Sequence, residues 1–157
     1  MFKLKIKVDN DKYIIYLRNP NIRFDIEDEE DIKDKIKDIV LNIKNKRNIS
    51  ICGFYKVKVY QNNKYGMILE MEKEDDIEFL RDFCDLKVVF FNNSKMLLKF
   101  GDYFLIEKNN VYYYDNNFYI DIDDLTDKEV TILSEFSEVI YGEKRLKLGN
   151  LLQKIKD

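Results

Sequence analysis

The residues of this chain that could do chemistry are its acids and its tyrosines. The run DIDDLTDKE, residues 121 to 129, spaces carboxylates as a calcium loop does. Such a loop needs glycine at its sharp turn, and Thr126 stands there. The run reads instead as a solvated stretch that caps a helix, and DIEDEED, residues 25 to 31, is equally explained as a helix start. Paired carboxylates could divide general acid and base work once burial separates their pKa values, so an acid-pair hydrolase stays as a distant alternative. With 30 Asp and Glu residues such pairs arise by chance, and nothing singles one out. Histidine is absent, which removes Ser-His and Cys-His nucleophile activation and most zinc chemistry. Gly53, Gly66, Gly101, Gly142 and Gly149 stand alone, so no glycine loop cradles a phosphate. No catalytic residue, metal or cofactor is expected.

The tyrosines concentrate in VYYYDNNFYIDID, residues 111 to 123, where aromatic residues flank Asp115-Asn116-Asn117 and point both ways from a strand pair. Tyrosine joins a large apolar body to a polar end, a combination suited to protein interfaces. Tyr113 and Phe118 are expected to pack beneath the C-terminal helices, and some of the other aromatics to face a partner. Nucleic acid is a poorer guess. The chain carries 27 basic and 30 acidic residues, a net charge of -3 and a pI near 5.2, which opposes binding by phosphate neutralisation. The basic clusters KNKR (44 to 47) and EKRLK (143 to 147) read as solvated faces, the first at a helix C-terminus, and the signature of sheet-type RNA readers is missing.

These residues must be positioned by a succession of short elements. FKLKIKV alternates apolar with lysine, and KYIIYLRN follows across Asp9-Asn10-Asp11, which predicts a hairpin; Pro20 then ends the second strand. In DEEDIKDKIKDIVLNIKNKR, Ile32, Ile36, Ile39, Val40 and Ile43 recur at helical spacing, with acids in the first turn and bases in the last. FYKVKVYQNNKYGMILEMEK supplies two strands joined through Gln61 to Gly66, with Val57 and Val59 on one face. Asp75 and Glu78 resemble a capping pair ahead of a short helix carrying Ile77, Leu80, Phe83 and Cys84. KVVFF and KMLLKF are expected to form a hairpin across Asn92-Asn93-Ser94, and the tyrosine stretch another. Thr126 with Glu129 makes a capping box, and Val130, Leu133, Phe136 and Ile140 predict one helical stripe closed by Gly142. Leu148, Leu151, Leu152 and Ile155 predict a C-terminal helix.

The expected fold class is α+β in two small sheet-plus-helix units, residues 1–74 (strand, strand, helix, strand, strand) and 75–157 (antiparallel hairpins with C-terminal helices). The 157 residues, 45% of them hydrophobic, suffice for one ordinary domain or two very small ones. No apolar run approaches a membrane span, and MFKLKIKVDN lacks the uninterrupted apolar segment of a signal peptide, so a cytosolic location is expected. Cys52 and Cys84, in no paired spacing, read as buried thiols of a reducing compartment.

Several stretches together resemble the MecA family of adaptor proteins from low-GC Gram-positive bacteria. KYIIYLRNPNIRFDIEDEEDIKDKIKDIVLNI is similar to the family's opening strand, loop and acid-started helix, and GFYKVKVYQNNKYGMILEMEKE to its glycine, alternating strand, turn, GM and final KE. VYYYDNNFYIDID resembles its aromatic hairpin, and TDKEVTILSEFSEVIYGEKRL the helix that follows. The chain departs from the family in two places: Lys73 to Ile77 replace a polar linker, and GDYFLIEKNN a helical segment. The resemblance implies an adaptor without catalysis of its own, whose first half captures a client protein and whose second half docks on a ClpC-type AAA+ unfoldase. On the matching hairpin and helix, Tyr112, Tyr114, Tyr119, Asp123, Asp124 and Glu135 are the candidate protein-binding residues. A stoichiometric inhibitor or regulatory module with another protein partner is the alternative.

Overall fold

The computed structural model describes residues 3–9, 12–18, 29–47, 53–75, 84–91, 94–101, 111–149, 151 and 153–154. They form an α+β fold with two five-stranded sheets, and the chain divides into two compact units. The first comprises Met1–Gln61 and Gly66–Asn92, the second Asn62–Tyr65 and Asn93–Asp157.

In the first unit β1 (Lys3–Asp9) and β2 (Lys12–Arg18) pair antiparallel, with Lys3 opposite Arg18 and Asp9 opposite Lys12, as the alternation predicts. Pro20 lies outside the described residues. Helix α1 (Glu29–Arg47) lays Ile36, Val40 and Ile43 against one sheet face, and each is at most 4% exposed. Their spacing of four and three residues keeps them on one side of the cylinder. Burying each contributes about 1.5–3 kcal/mol. Strands β3 (Gly53–Asn62) and β4 (Gly66–Asp75) complete that core with Val57, Val59, Met67, Leu69 and Met71, all fully buried. Gly66 has φ 120°, a value side-chain-bearing residues avoid, so glycine is required where the connection re-enters the sheet.

The expected hairpin across residues 92 to 94 does not form. Strand β5 (Cys84–Phe91) runs parallel to β3, from Gly53 opposite Cys84 to Tyr60 opposite Phe91, giving the order β1-β2-β4-β3-β5. Strand β6 (Leu97–Phe100) belongs to the other sheet. Hydrophobic content identified both strands, but strand content alone does not choose a partner. The unit boundary therefore falls at Asn92/Asn93 rather than Glu74/Asp75, because β5 completes the first sheet. Cys84 begins that strand, whereas a helix was expected to carry it; residues 76–83, the rest of that helix, and Cys52 lie outside the described residues.

The second unit orders its antiparallel strands β10-β7-β8-β6-β9, where β7 is Val111–Tyr114, β8 Asn117–Asp121, β9 Glu138–Ile140 and β10 Gln153–Lys154. Thr126 caps α2 (Asp127–Leu133) in the predicted box: Glu129 N donates to Thr126 Oγ1 at 3.2 Å and Thr126 N to Glu129 Oε1 at 2.9 Å. The helix stops at Leu133 instead of continuing to Ile140. Val139 and Ile140 enter β9 opposite Leu98 and Leu97, where β-branched side chains pack well, and Phe136 is left 64% exposed. Gly142, at φ 62°, turns the chain out of β9 and begins α3 (Gly142–Gly149) rather than ending a helix. The C-terminal helix expected from Leu148 to Ile155 does not form: α3 ends at Gly149, and the chain turns at Leu151 before β10. Leu148 packs on the sheet, Leu151 is 52% exposed, and Gln153 and Lys154 pair with β7; Leu152 and Ile155 lie outside the described residues.

Candidate functional site

The tyrosine stretch is a β7–β8 hairpin closed by Asp115 and Asn116 at φ 49° and 62°, the two positive values of a type I′ turn. Asx residues tolerate that region better than most, which is why the sequence turns there. Asn117 Nδ2 donates to the Asp115 carbonyl at 3.0 Å, and Tyr113 Oη donates to Asn116 Oδ1 at 2.9 Å. The tip is thus held by its own side chains.

Register then decides where each aromatic goes, because directly opposed residues share a face. Val111 opposes Ile120, Tyr112 Tyr119, Tyr113 Phe118, and Tyr114 Asn117. One face carries Val111, Ile120, Leu98 and Phe100, each at most 1% exposed. The other carries Leu97, Tyr119 and Ile140 in a second cluster, with Tyr112 and Leu148 against it. Both faces are buried at the sheet's centre, so aromatics are needed on both. Toward the tip they emerge: Tyr113 is 40% and Tyr114 37% exposed, and the Tyr113 and Phe118 rings meet at 5.3 Å with a 52° tilt.

Tyr119 is therefore a core residue, 3% exposed, and not a contact residue as the sequence suggested. Burial raises its phenol pKa, and Asp115, Glu138 and Tyr114 push the same way. Tyr112 is half-buried, Tyr114 is open, and Tyr113, expected in the core, is open too.

Asp123 and Asp124 are exposed on a 3-10 turn, Ile122–Asp124, that follows β8. Asp121 Oδ1 accepts from Asp123 N at its start, and Asp121 Oδ2 lies 3.4 Å from Arg145 Nη2. At its end Lys64 Nζ donates to the carbonyls of Asp123 and Leu125. Lys64 is held by Asn62, whose Oδ1 accepts from the backbone N–H of both Lys64 and Tyr65 at 2.9 Å, while its Nδ2 donates to the Ser94 carbonyl at 2.9 Å. Sequence reading took these residues for a plain connection, since a side chain that bonds sixty positions away leaves no local pattern.

Glu135 is exposed on the turn leaving α2, between Ile132, 49% exposed, and Phe136. The six candidate residues thus fall on three segments: hairpin, 3-10 turn and helix exit. Of the exposed hydrophobes beside them, Tyr113 and Phe136 were expected to be covered, the latter as part of the helical stripe, and Ile132 lies off that stripe. Among the described residues no group of three or more Cys, Asp or Glu side chains converges as metal ligands, and no helix is long and apolar enough to cross a membrane. In comparisons with known proteins, no family model, no curated sequence and no solved structure matches this chain.

Proposed function

We propose that this chain is a non-catalytic cytosolic adaptor that holds a client polypeptide and a ClpC-type AAA+ unfoldase together, so that delivery works by raised local concentration. The observation that carries this reading is the set of open apolar side chains of the second unit. Tyr113 and Tyr114 lie open at a hairpin tip, and Ile132 in the last turn of α2 and Phe136 just after it stand on either side of Glu135 in sequence. Exposed large apolar residues edged by polar groups mark interaction sites, and anchors on an ordered turn lose less freedom on binding. The family resemblance of this half points to the unfoldase as the partner. The test is capture of a purified ClpC-type unfoldase and stimulation of its ATPase by the whole chain, compared with a Tyr114→Ala, Phe136→Ser variant. Both side chains are open, so the variant keeps its stability within about 0.5 kcal/mol per site. Capture and stimulation by the wild type, lost in the variant, support the reading. A wild type that captures no unfoldase defeats it, and capture with stoichiometric arrest of client degradation identifies an inhibitor instead.

A further inference from the structure

We infer that the outer edge of β1 is a strand-addition site for an extended polypeptide segment in which acidic and apolar residues alternate. The inference rests on the adaptor reading and gives its client a chemistry. β1 ends its sheet, and among the described residues its one strand neighbour is β2. A terminal strand presents a row of unpaired N–H and C=O groups, a template for another strand.

The two faces of β1 are left incomplete in opposite ways. On the core side Ile6 packs against the hydrophobic cluster only in part, and Val8 is 64% exposed although Tyr13, directly opposite it, packs on that cluster. On the other side Lys5 and Lys7 are exposed, and neither pairs with a carboxylate among the described residues. Lys5 Nζ lies 5.9 Å over the Tyr16 ring. One strand inward the equivalent need is met, for Lys12 is held by Glu70 at 2.8 Å.

An added strand alternates its side chains with the same period of two. Acids on one of its faces then oppose Lys5 and Lys7, while apolar residues on the other cover Ile6 and Val8. A second copy of this chain does not fit. Any antiparallel register that overlaps most of β1 and keeps its apolar residues on one face sets lysine opposite lysine, which is destabilising.

The probe is a fluorescent peptide of alternating glutamate and valine, titrated with the whole chain and read by anisotropy. Saturable binding is expected, weakened by salt and abolished when alternate peptide amides are N-methylated, since methylation blocks the ladder. The double variant Lys5→Glu, Lys7→Glu changes two exposed side chains and should weaken binding about ten-fold or more while gaining affinity for the lysine-valine peptide; circular dichroism checks its fold. No binding by the wild type, indifference to the charge reversal, or equal binding of the N-methylated peptide overturns the inference. So does tighter binding of an oligothymidylate, which makes the edge a polyanion surface, or concentration-dependent dimerisation through β1. The assay contains no unfoldase. Failure here in a chain that still captures unfoldase removes this inference alone, and peptide binding by a chain that captures none removes the adaptor reading alone.

Discussion

The two sheets solve the same problem of an apolar face in different ways. In the first unit, α1 covers one face of the sheet, and the strands β1 and β3 that alternate most strictly carry Lys5, Lys7, Lys56 and Lys58 on the other. In the second, short strands bury both faces at their centre, with Phe100 and Val111 on one side and Leu97, Tyr119 and Ile140 on the other. Where one face stays open, as along β1 and the start of β3, residues sort by polarity; where both are covered, as in the second sheet and around Tyr60 and Ile68 of the first, they do not. Among its described residues the second unit exposes large apolar side chains at the β7–β8 tip, at the end of α2 and just after it, and on and after α3, where Leu146 and Leu151 lie open. The proposed contacts lie at the first two of these places.

The largest effect should come from testing the two-sidedness itself. In the second unit, Phe100→Ala is expected to cost about 3–5 kcal/mol and Leu97→Ala about 2–5 kcal/mol, although they point to opposite faces. In the first, Val57→Ala should destabilise clearly, whereas its neighbour Lys58→Ala should stay within about 0.5 kcal/mol. Urea midpoints for the four variants decide the matter, and a tolerant Leu97 site would break the contrast.

Next in size is Asn62→Ala. Asn62 is 4% exposed and makes three hydrogen bonds, so its loss strands buried donors and an acceptor at about 1–3 kcal/mol. The contacts all fall within the second unit, so amide exchange should accelerate around Ser94 and the 3-10 turn before it does in α1. Acceleration spread evenly over both units would contradict the division.

The smallest effect concerns pH. Burial first, then Asp115, Glu138 and Tyr114, raise the Tyr119 phenol above its ordinary value of 10.0. The unfolded chain then gives up this proton more readily than the folded one, so the contribution is fully present below pH 10 and is lost as pH rises through the folded value. Stability measured across that alkaline range should fall, and less so in Glu138→Gln. An ultraviolet pH scan should show a phenol ionising above 10.0 that is lost in Tyr119→Phe; no such loss would place Tyr119 in water.

Legibility in the sequence followed the same contrast. Ile36, Val40 and Ile43 announced α1, and the KxKxK pattern announced β1, because one covered face leaves a clean period. Thr126 and Glu129 announced the start of α2, but not its end, since Phe136 and Ile140 continue the helical spacing while Ile140 gains more by pairing with Leu97. Partner choice was hidden as well. Nothing local in CDLKVVFF states that it runs parallel to a strand begun about thirty residues earlier. Of the candidate contacts, Tyr114, Asp123, Asp124 and Glu135 are open, Tyr112 is half-covered and Tyr119 is buried; the three tyrosines share one face, and what separates them is distance from the hairpin tip, which the sequence does not show.

The β3–β4 tip changes how the molecule can be divided. Because Asn62–Tyr65 belong with Asn93–Asp157, a fragment cut at the 92/93 crossing leaves the ribosome or the cloning vector without the lysine that closes the 3-10 turn and the amide that anchors Ser94. During synthesis those four residues emerge before the segment they serve, ready to receive it. Expressing the C-terminal piece alone therefore requires supplying that small loop in trans or splicing it in.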